Sequence, residues 1–309
     1  MTLQQLHYVL ALDTHKQFVK AADSCHVTQP TLTLQLKKLE DEISAILFDR
    51  SATPLKATPI GEQFIAQAKR ILWDVDELKN LVNNDKEMID GSFKIGIIPT
   101  LAPNLLALFL SDFISANPKT NLIIEELQSE AIIEMLKNRQ LDVGILSAPL
   151  NEHKLREEHL FDEPFLVFTD EQNDLLSYKS INAKNLKSDG LWVLKDGHCF
   201  RNQTLNICNF KPSQQHKNVT MEGASIDTLK KLIRQIKGYT LIPELSYDEK
   251  NDVENVLGFD HPKPVRSICM GVHKHFTREK LISELKRSII ANIPNSFAKN
   301  TRVRRVKWR

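Results

Sequence analysis

Cysteine is scarce in this chain, with four in 309 residues. A chain of this length buries enough surface to hold a core without disulfide staples, which excludes the framework of a small secreted domain. Long apolar runs are missing too. No stretch of about 18 apolar residues occurs, so no membrane-spanning helix is expected. Leu3, Leu6, Val9, Leu10 and Leu12 are apolar, but no basic segment precedes them and no small-residue cleavage site follows. The expected compartment is therefore a reducing cytoplasm, where disulfides are transient and serve catalysis or sensing. Nor does one charge dominate: 41 Lys and Arg against 39 Asp and Glu leave a net charge of +2, which points to no partner. The exception is residues 299–309, KNTRVRRVKWR, with six basic and no acidic side chains. This tail reads as a solvated, mobile end, with contact to nucleic acid or another acidic surface as the second reading. His273 and His275 lack a third ligand, and no metal or cofactor is expected.

What is present begins with a compact helical pattern. Leu3, Leu6, Val9 and Leu10 recur at helical spacing, and Phe18, Ala21 and Ala22 mark a short second helix whose small residues admit a neighbour. Thr28 caps a third helix with Pro30 in its first turn, where a missing amide is harmless. Leu32, Leu36, Leu39 and Ile43 share one face of it. The other side presents Thr31, Thr33, Leu34, Lys37 and Lys38, with Gln29 and Gln35 on the flanks, a surface able to meet base edges and phosphates. "FDRSATPLKATP" reads as a hairpin wing carrying Arg50 and Lys56. Residues 1–60 hold six basic and six acidic side chains, so charge alone does not advertise DNA binding.

Pro59 opens a long helix running to about Asn83. Phe64, Ala68, Ile71, Val75, Leu78 and Val82 are spaced as an a/d seam, which predicts pairing with a second copy; the alternative is packing on its own domain. From Phe93 strands and helices alternate, which argues for parallel sheets in an α/β region of two lobes. Thr100 and Ser129 each follow a strand, at the edge where such sheets take ligands. "LWVLKD" reads as a strand ending at Asp196, Gly197 as a turn, and "CFRNQTLNIC" as a helix with Cys199 in its first turn, where free amides favour an anion. His198 and Arg201 stand beside it. Nine residues of helix rise about 13.5 Å, whereas a disulfide needs Cα atoms within about 7 Å. Cys199 and Cys208 are therefore either unrelated, buried thiols or a pair that joins only when the segment refolds.

"FVKAADSCHVTQPTLTLQLKKLEDEISAILFDR" resembles the DNA-binding segment of LysR-type transcriptional regulators. The likeness lies in the Ala pair, the Gln-Pro helix start, "LE" near the helix end, Phe-x-Arg before the wing, and the Thr58–Gly61 start of the next helix. It implies an α+β protein with a winged helix-turn-helix (1–58), a dimerising linker helix (59–88) and a two-lobed α/β regulatory domain shaped like a periplasmic binding protein (89–298), then the basic tail (299–309). The chain would cross between lobes near 162–167 and 264–268. Gln29 to Lys38, Pro30 included, would enter the major groove of double-stranded DNA.

"DGHCFRNQTLNIC", "AADSCHVTQPTL", "IGIIPT" and "LFDEP" further resemble the hydrogen-peroxide-sensing members of that family, over essentially the whole chain to about residue 295. That resemblance implies Cys199 as the peroxidatic thiol, Cys208 as the resolving thiol, and a peroxide pocket of Thr100, His198, Cys199 and Arg266, with Ser129 where the family carries threonine. Asn202 stands where an acidic residue is common, and Cys25 and Cys269 would be structural. The expected protein is a cytoplasmic, non-enzymatic activator of antioxidant genes. Its expected partners are promoter half-sites, peroxide, itself as dimer or tetramer, and RNA polymerase. The alternatives are a LysR-type regulator gated by a metabolite, with inert cysteines, and a thiol peroxidase.

Overall fold

The structure is a computed structural model that describes residues 1–83, 89–187, 189–209, 225–298 and 302–309. It divides into two compact units, Met1–Asp85 with Asn138–Gln140, and Lys86–Lys137 with Leu141–Arg309.

In the first unit α1 (Leu3–His15), α2 (Phe18–Ser24) and α3 (Gln29–Glu42) precede the wing strands β1 (Phe48–Asp49) and β2 (Lys56–Ala57), and α4 (Pro59–Asn83) follows. Thr2 and Gln5 form a reciprocal capping box on α1, and Thr28 caps α3 by accepting from the Thr31 amide. Leu32, Leu36 and Leu39 enter a core with Val9, Leu12, Ala21, Ala22 and Phe48. Ile43 is only half-buried because α3 stops at Glu42. The buried Glu40 carboxylate accepts the Leu47 and Phe48 amides at 2.8 and 3.4 Å, tying α3 to the wing. The first part of α4 packs inward through Ile65, Ala68 and Leu72.

The second unit carries one mixed sheet path. β3 (Gly91–Ile97), β4 (Thr120–Glu126) and β5 (Val143–Ser147) are parallel, linked by α5 (Ala102–Ala116) and α6 (Ser129–Lys137). β6 (Leu155–Thr169) runs antiparallel to its partners. It is followed by α7 (Cys199–Cys208), α8 (Ile226–Ile236), β7 (Tyr239–Pro243), β8 (Val256–Leu257) and β9 (Lys263–His273). The last elements are α9 (Glu279–Asn292), α10 (Asn295–Ala298) and β10 (Val303–Arg305). The sheets are thus mixed where strand–helix alternation had predicted parallel ones. Alternation reports only local βα units; the strands that carry the chain between lobes return in the opposite sense. β6 pairs with β9 up to Pro164 and with β7 from Phe165, so it serves both lobes.

Two expectations fail here. "LWVLKD" forms no strand: Leu191 makes a single bridge to Tyr239, with the Trp192 amide donating to the Tyr239 carbonyl at 2.8 Å. The tail is not a free end either. β10 runs parallel to the start of β9, on the edge that β5 leaves uncovered beyond Ser147, and Val306 and Trp308 are buried. Residues 299–301 lie outside the described residues. Composition misled because the basic side chains alternate with Val303, Val306 and Trp308, which supply the apolar face.

Candidate functional site

The site is assembled at the ends of strands. Gly197 turns with φ +96°, and a side chain there would meet the Gln128 amide at 2.6 Å. The positive φ is what calls for glycine, since the Gln128 side chain could swing aside. The turn makes His198 the N-cap residue of α7 and Cys199 its first helical residue. His198 is half-buried, and burial lowers its pKa, favouring the neutral imidazole.

Arg266, from β9, is the hub. It is fully buried and donates from Nε to Glu163 Oε2 at 2.7 Å, and from its two terminal nitrogens to Thr100 Oγ1 at 2.7 Å and the Thr100 carbonyl at 3.1 Å. Its guanidinium lies 5.3 Å from the Phe200 ring centre, and Phe200 stacks on Phe165 at 5.1 Å. Burial pushes the Glu163 carboxyl up, opposed by the Arg266 charge and the Leu245 amide. Phe200 directly follows Cys199, so the hub adjoins the thiol in sequence as well.

Cys199 is buried, with its sulfur 3.7 Å from Ser147 Oγ at the end of β5. The Ser147 carbonyl in turn accepts from Trp308 Nε1 at 2.9 Å. Cys208 ends α7 inside an apolar cluster with Phe200, Ile207, Tyr239 and Val306. Burial pushes its thiol up to about 12. Both thiols are free and the helix between them is unbroken, so their Cα atoms stand about 13.5 Å apart. Arg201 is committed elsewhere: its guanidinium binds Asp196 at 2.5 Å and the Leu194 carbonyl at 3.0 Å.

A cavity of about 240 Å³ opens beside this cluster, lined by Pro99, Thr100, Leu194, His198, Ser225 and Asp227 among others. Of the sequence-assigned pocket residues, Thr100 and His198 line it. Arg266 reaches Thr100, and Cys199 lies one residue from His198. Ser129 opens α6, buried, with an Oγ that has no hydrogen-bond partner among the described residues. Sequence reasoning missed Glu163, Ser147 and Trp308 as contacts. Glu163 sits within "LFDEP", and Trp308, an indole among basic residues, was the visible hint of a buried tail. Cys25 is half-buried against the helical core and Cys269 is buried in β9, where burial and nearby Glu157 push its thiol up.

On the first unit Gln29, Pro30, Thr31, Leu34, Lys37 and Lys38 are exposed along α3, with Thr33 half-buried. Lys56 is exposed on β2, whereas Arg50 pairs with Glu40 at 2.6 Å. On α4, Ala68 is consumed by the intradomain core, Phe64 and Val75 are half-buried, and Ile71 and Leu78 are exposed. The Val82 side chain lies outside the described residues.

Residues 3–62 match the model of the bacterial regulatory helix-turn-helix protein, lysR family, and residues 86–292 match the LysR substrate binding domain. The DNA-binding transcriptional dual regulator OxyR of Escherichia coli K12 is 31% identical over 97% of this chain and 98% of that protein. The HTH-type transcriptional regulator EstR of Acinetobacter baylyi is 32% identical over 79% of this chain and 80% of that protein. A solved structure of full-length OxyR from Pseudomonas aeruginosa superposes with a TM-score of 0.79 at 30% identity, covering 95% of this chain and 99% of that one. The chain therefore belongs to the LysR family of bacterial helix-turn-helix regulatory proteins, and within it is similar to the OxyR-type hydrogen peroxide-inducible activators.

Proposed function

We propose that this protein is a DNA-binding regulator switched by hydrogen peroxide through Cys199 and Cys208. The observation that carries the reading is one intact helix with a free thiol at each end, the first in a polar corner and the second sealed in the apolar core. Cys199, reacting as its thiolate, attacks one peroxide oxygen. The O–O bond breaks, the departing hydroxide takes a proton to become water, and the sulfur becomes a sulfenic acid. The Cys208 thiol then attacks that sulfur; an S–S bond forms and a second water leaves. Two electrons pass from the thiols to peroxide. The second step requires α7 to unwind, because about 13.5 Å exceeds disulfide reach. In this reading an intact α7 with both thiols free is the reduced arrangement.

Thr100, His198, Ser129 and Arg266 would hold the peroxide, with Arg266 acting through the Thr100 hydroxyl it binds. The exposed face of α3 would enter the major groove and Lys56 would meet phosphate. Ile71 and Leu78, exposed on α4, would pair two copies, with tetramers and RNA polymerase contact as further partners in a reducing cytoplasm.

The test is mass spectrometry of the peptide spanning Cys199 and Cys208 before and after substoichiometric peroxide. A 199–208 disulfide is expected in the wild type and none in Cys199→Ser, which keeps its DNA binding; a Cys199→Ser protein that still switches with peroxide overturns the reading. A second reading, a metabolite-gated regulator, is favoured by the cavity beside Thr100 and His198. It requires an organic ligand that raises Tm and shifts DNA binding even in a Cys199→Ser/Cys208→Ser protein.

A further inference from the structure

The C-terminal segment that composition marked as a loose tail is bonded to the sensor helix residue by residue. Asn206 Nδ2 donates to the Lys307 carbonyl at 3.0 Å, Gln203 Nε2 to the Val306 carbonyl at 3.0 Å, and Asn202 Nδ2 to the Trp308 carbonyl at 3.3 Å. Three side-chain amides of α7 thus grip three successive backbone carbonyls. The other side of the segment is anchored to the sheet. Val306 donates its amide to the Val265 carbonyl at 2.9 Å, and the Trp308 indole donates to the carbonyl of Ser147, whose hydroxyl touches the Cys199 sulfur. An acidic side chain at 202 has no hydrogen to donate to a carbonyl, so the asparagine there has a physical reason.

We infer that residues 302–309 are a strap that holds α7 helical and Cys199 seated in its pocket, and that closing the Cys199–Cys208 disulfide requires this strap to release α7. The inference rests on the thiol-switch reading. Its chemical step is the one already balanced: the Cys199 sulfenic acid and the Cys208 thiol condense, forming S–S and expelling water. The strap acts on that step alone. With α7 strapped the two sulfurs stay apart; once the amides of residues 202, 203 and 206 let go, the helix is free to unwind. Trp308 and Asn206 are positioning residues, since neither touches the reacting atoms.

The experiment uses the full chain with Asn206→Ala, Asn202→Ala and the double variant, each substitution removing one of the donors from α7 to the strap. Sulfenic acid formation is followed by trapping with a cyclic 1,3-dione, and disulfide closure by quenched-flow alkylation. Each variant removes one donor, worth about 1 kcal/mol, so the thiol–disulfide equilibrium is expected to move about fivefold toward the disulfide per substitution. That is roughly 20 mV at about 30 mV per tenfold for a two-electron couple. Closure is expected to accelerate in the same order, while sulfenic acid formation in Asn206→Ala stays within about twofold of wild type, inside the mutational scatter of surface sites. A merely structural role would lower Tm and leave closure and equilibrium unchanged, which overturns the inference. Should the variants not fold, hydrogen exchange on the wild type decides. The side-chain amide protons of Gln203 and Asn206, followed by NMR, are expected to exchange slowly when reduced and freely in the disulfide form; slow exchange retained in the disulfide form overturns the strap. A wild type that forms no disulfide at all defeats instead the thiol-switch reading beneath it.

Discussion

Glu163→Gln tests the hub directly. Arg266 and Glu163 are both fully buried and meet at 2.7 Å. Removing the carboxylate charge leaves a guanidinium without a counter-ion in the core. Breaking one side of a buried pair costs about 3–5 kcal/mol. Glutamine has one oxygen where the carboxylate gives one to Arg266 Nε and one to the Leu245 amide, so its NH2 must face one of these donors; Phe200 still faces the cation at 5.3 Å, and a loss in the middle of that range, about 4 kcal/mol, is expected. Against a total domain stability of about 5–15 kcal/mol that is a large fraction. Replacing both partners by apolar side chains, Glu163→Leu/Arg266→Met, removes the stranded charge and should recover most of the loss, since a buried pair replaced by apolar side chains is often neutral. The assay is urea unfolding of the reduced protein, followed by tryptophan fluorescence, with the midpoint and slope compared across the variants. A single variant within about 1 kcal/mol of wild type would refute the reasoning, because the buried charge would then be satisfied by something other than Glu163.

Cys208 makes stability fall in alkali. Its thiol titrates near 8.5 in the unfolded chain and at about 12 when folded, so its contribution is complete below pH ~8.5 and is lost as pH rises toward the folded value, at up to about 1.4 kcal/mol per unit. The stability–pH slope above pH ~9 should be shallower in Cys208→Ser, which has no thiol to titrate there; equal slopes would count against a sealed Cys208. Lys38→Ala should weaken binding to specific and nonspecific duplexes alike and flatten the log K against log salt slope by about 0.9, measured by fluorescence anisotropy. Leu78→Glu places a charge on the exposed apolar side of α4 and should shift sedimentation toward monomer.

Local features were legible and long-range ones were not. α3, α4 and α7 follow from periodicity and caps read within a few residues, and the Cys199–Cys208 separation follows from helix rise alone. The parallel β3–β4–β5 unit was equally readable, because each βα step is local. The hub was only half visible: Arg266 and Thr100 were assigned, but they are separated by 166 residues, and nothing local in the sequence shows that Glu163 completes the pair. β10 finds its partner about 40 residues back along the chain, and its alternating charges hid the apolar positions. The amphipathic spacing on α4 could not by itself tell an intradomain face from an intermolecular one; the structure assigns Ala68 inward and leaves Ile71 and Leu78 outward.

The place of Phe200 has a consequence for signal quality. The ring is buried against both Phe165 and the Arg266 guanidinium, and it follows Cys199 with no intervening residue. Cys199 cannot travel far without drawing that ring out of the core. If Cys199 moves as proposed, such a coupling would penalise half-moved states and favour an all-or-none response in each molecule. A cell would then read a graded stimulus as the fraction of molecules switched, and brief thermal fluctuations of the segment would pass without a false alarm.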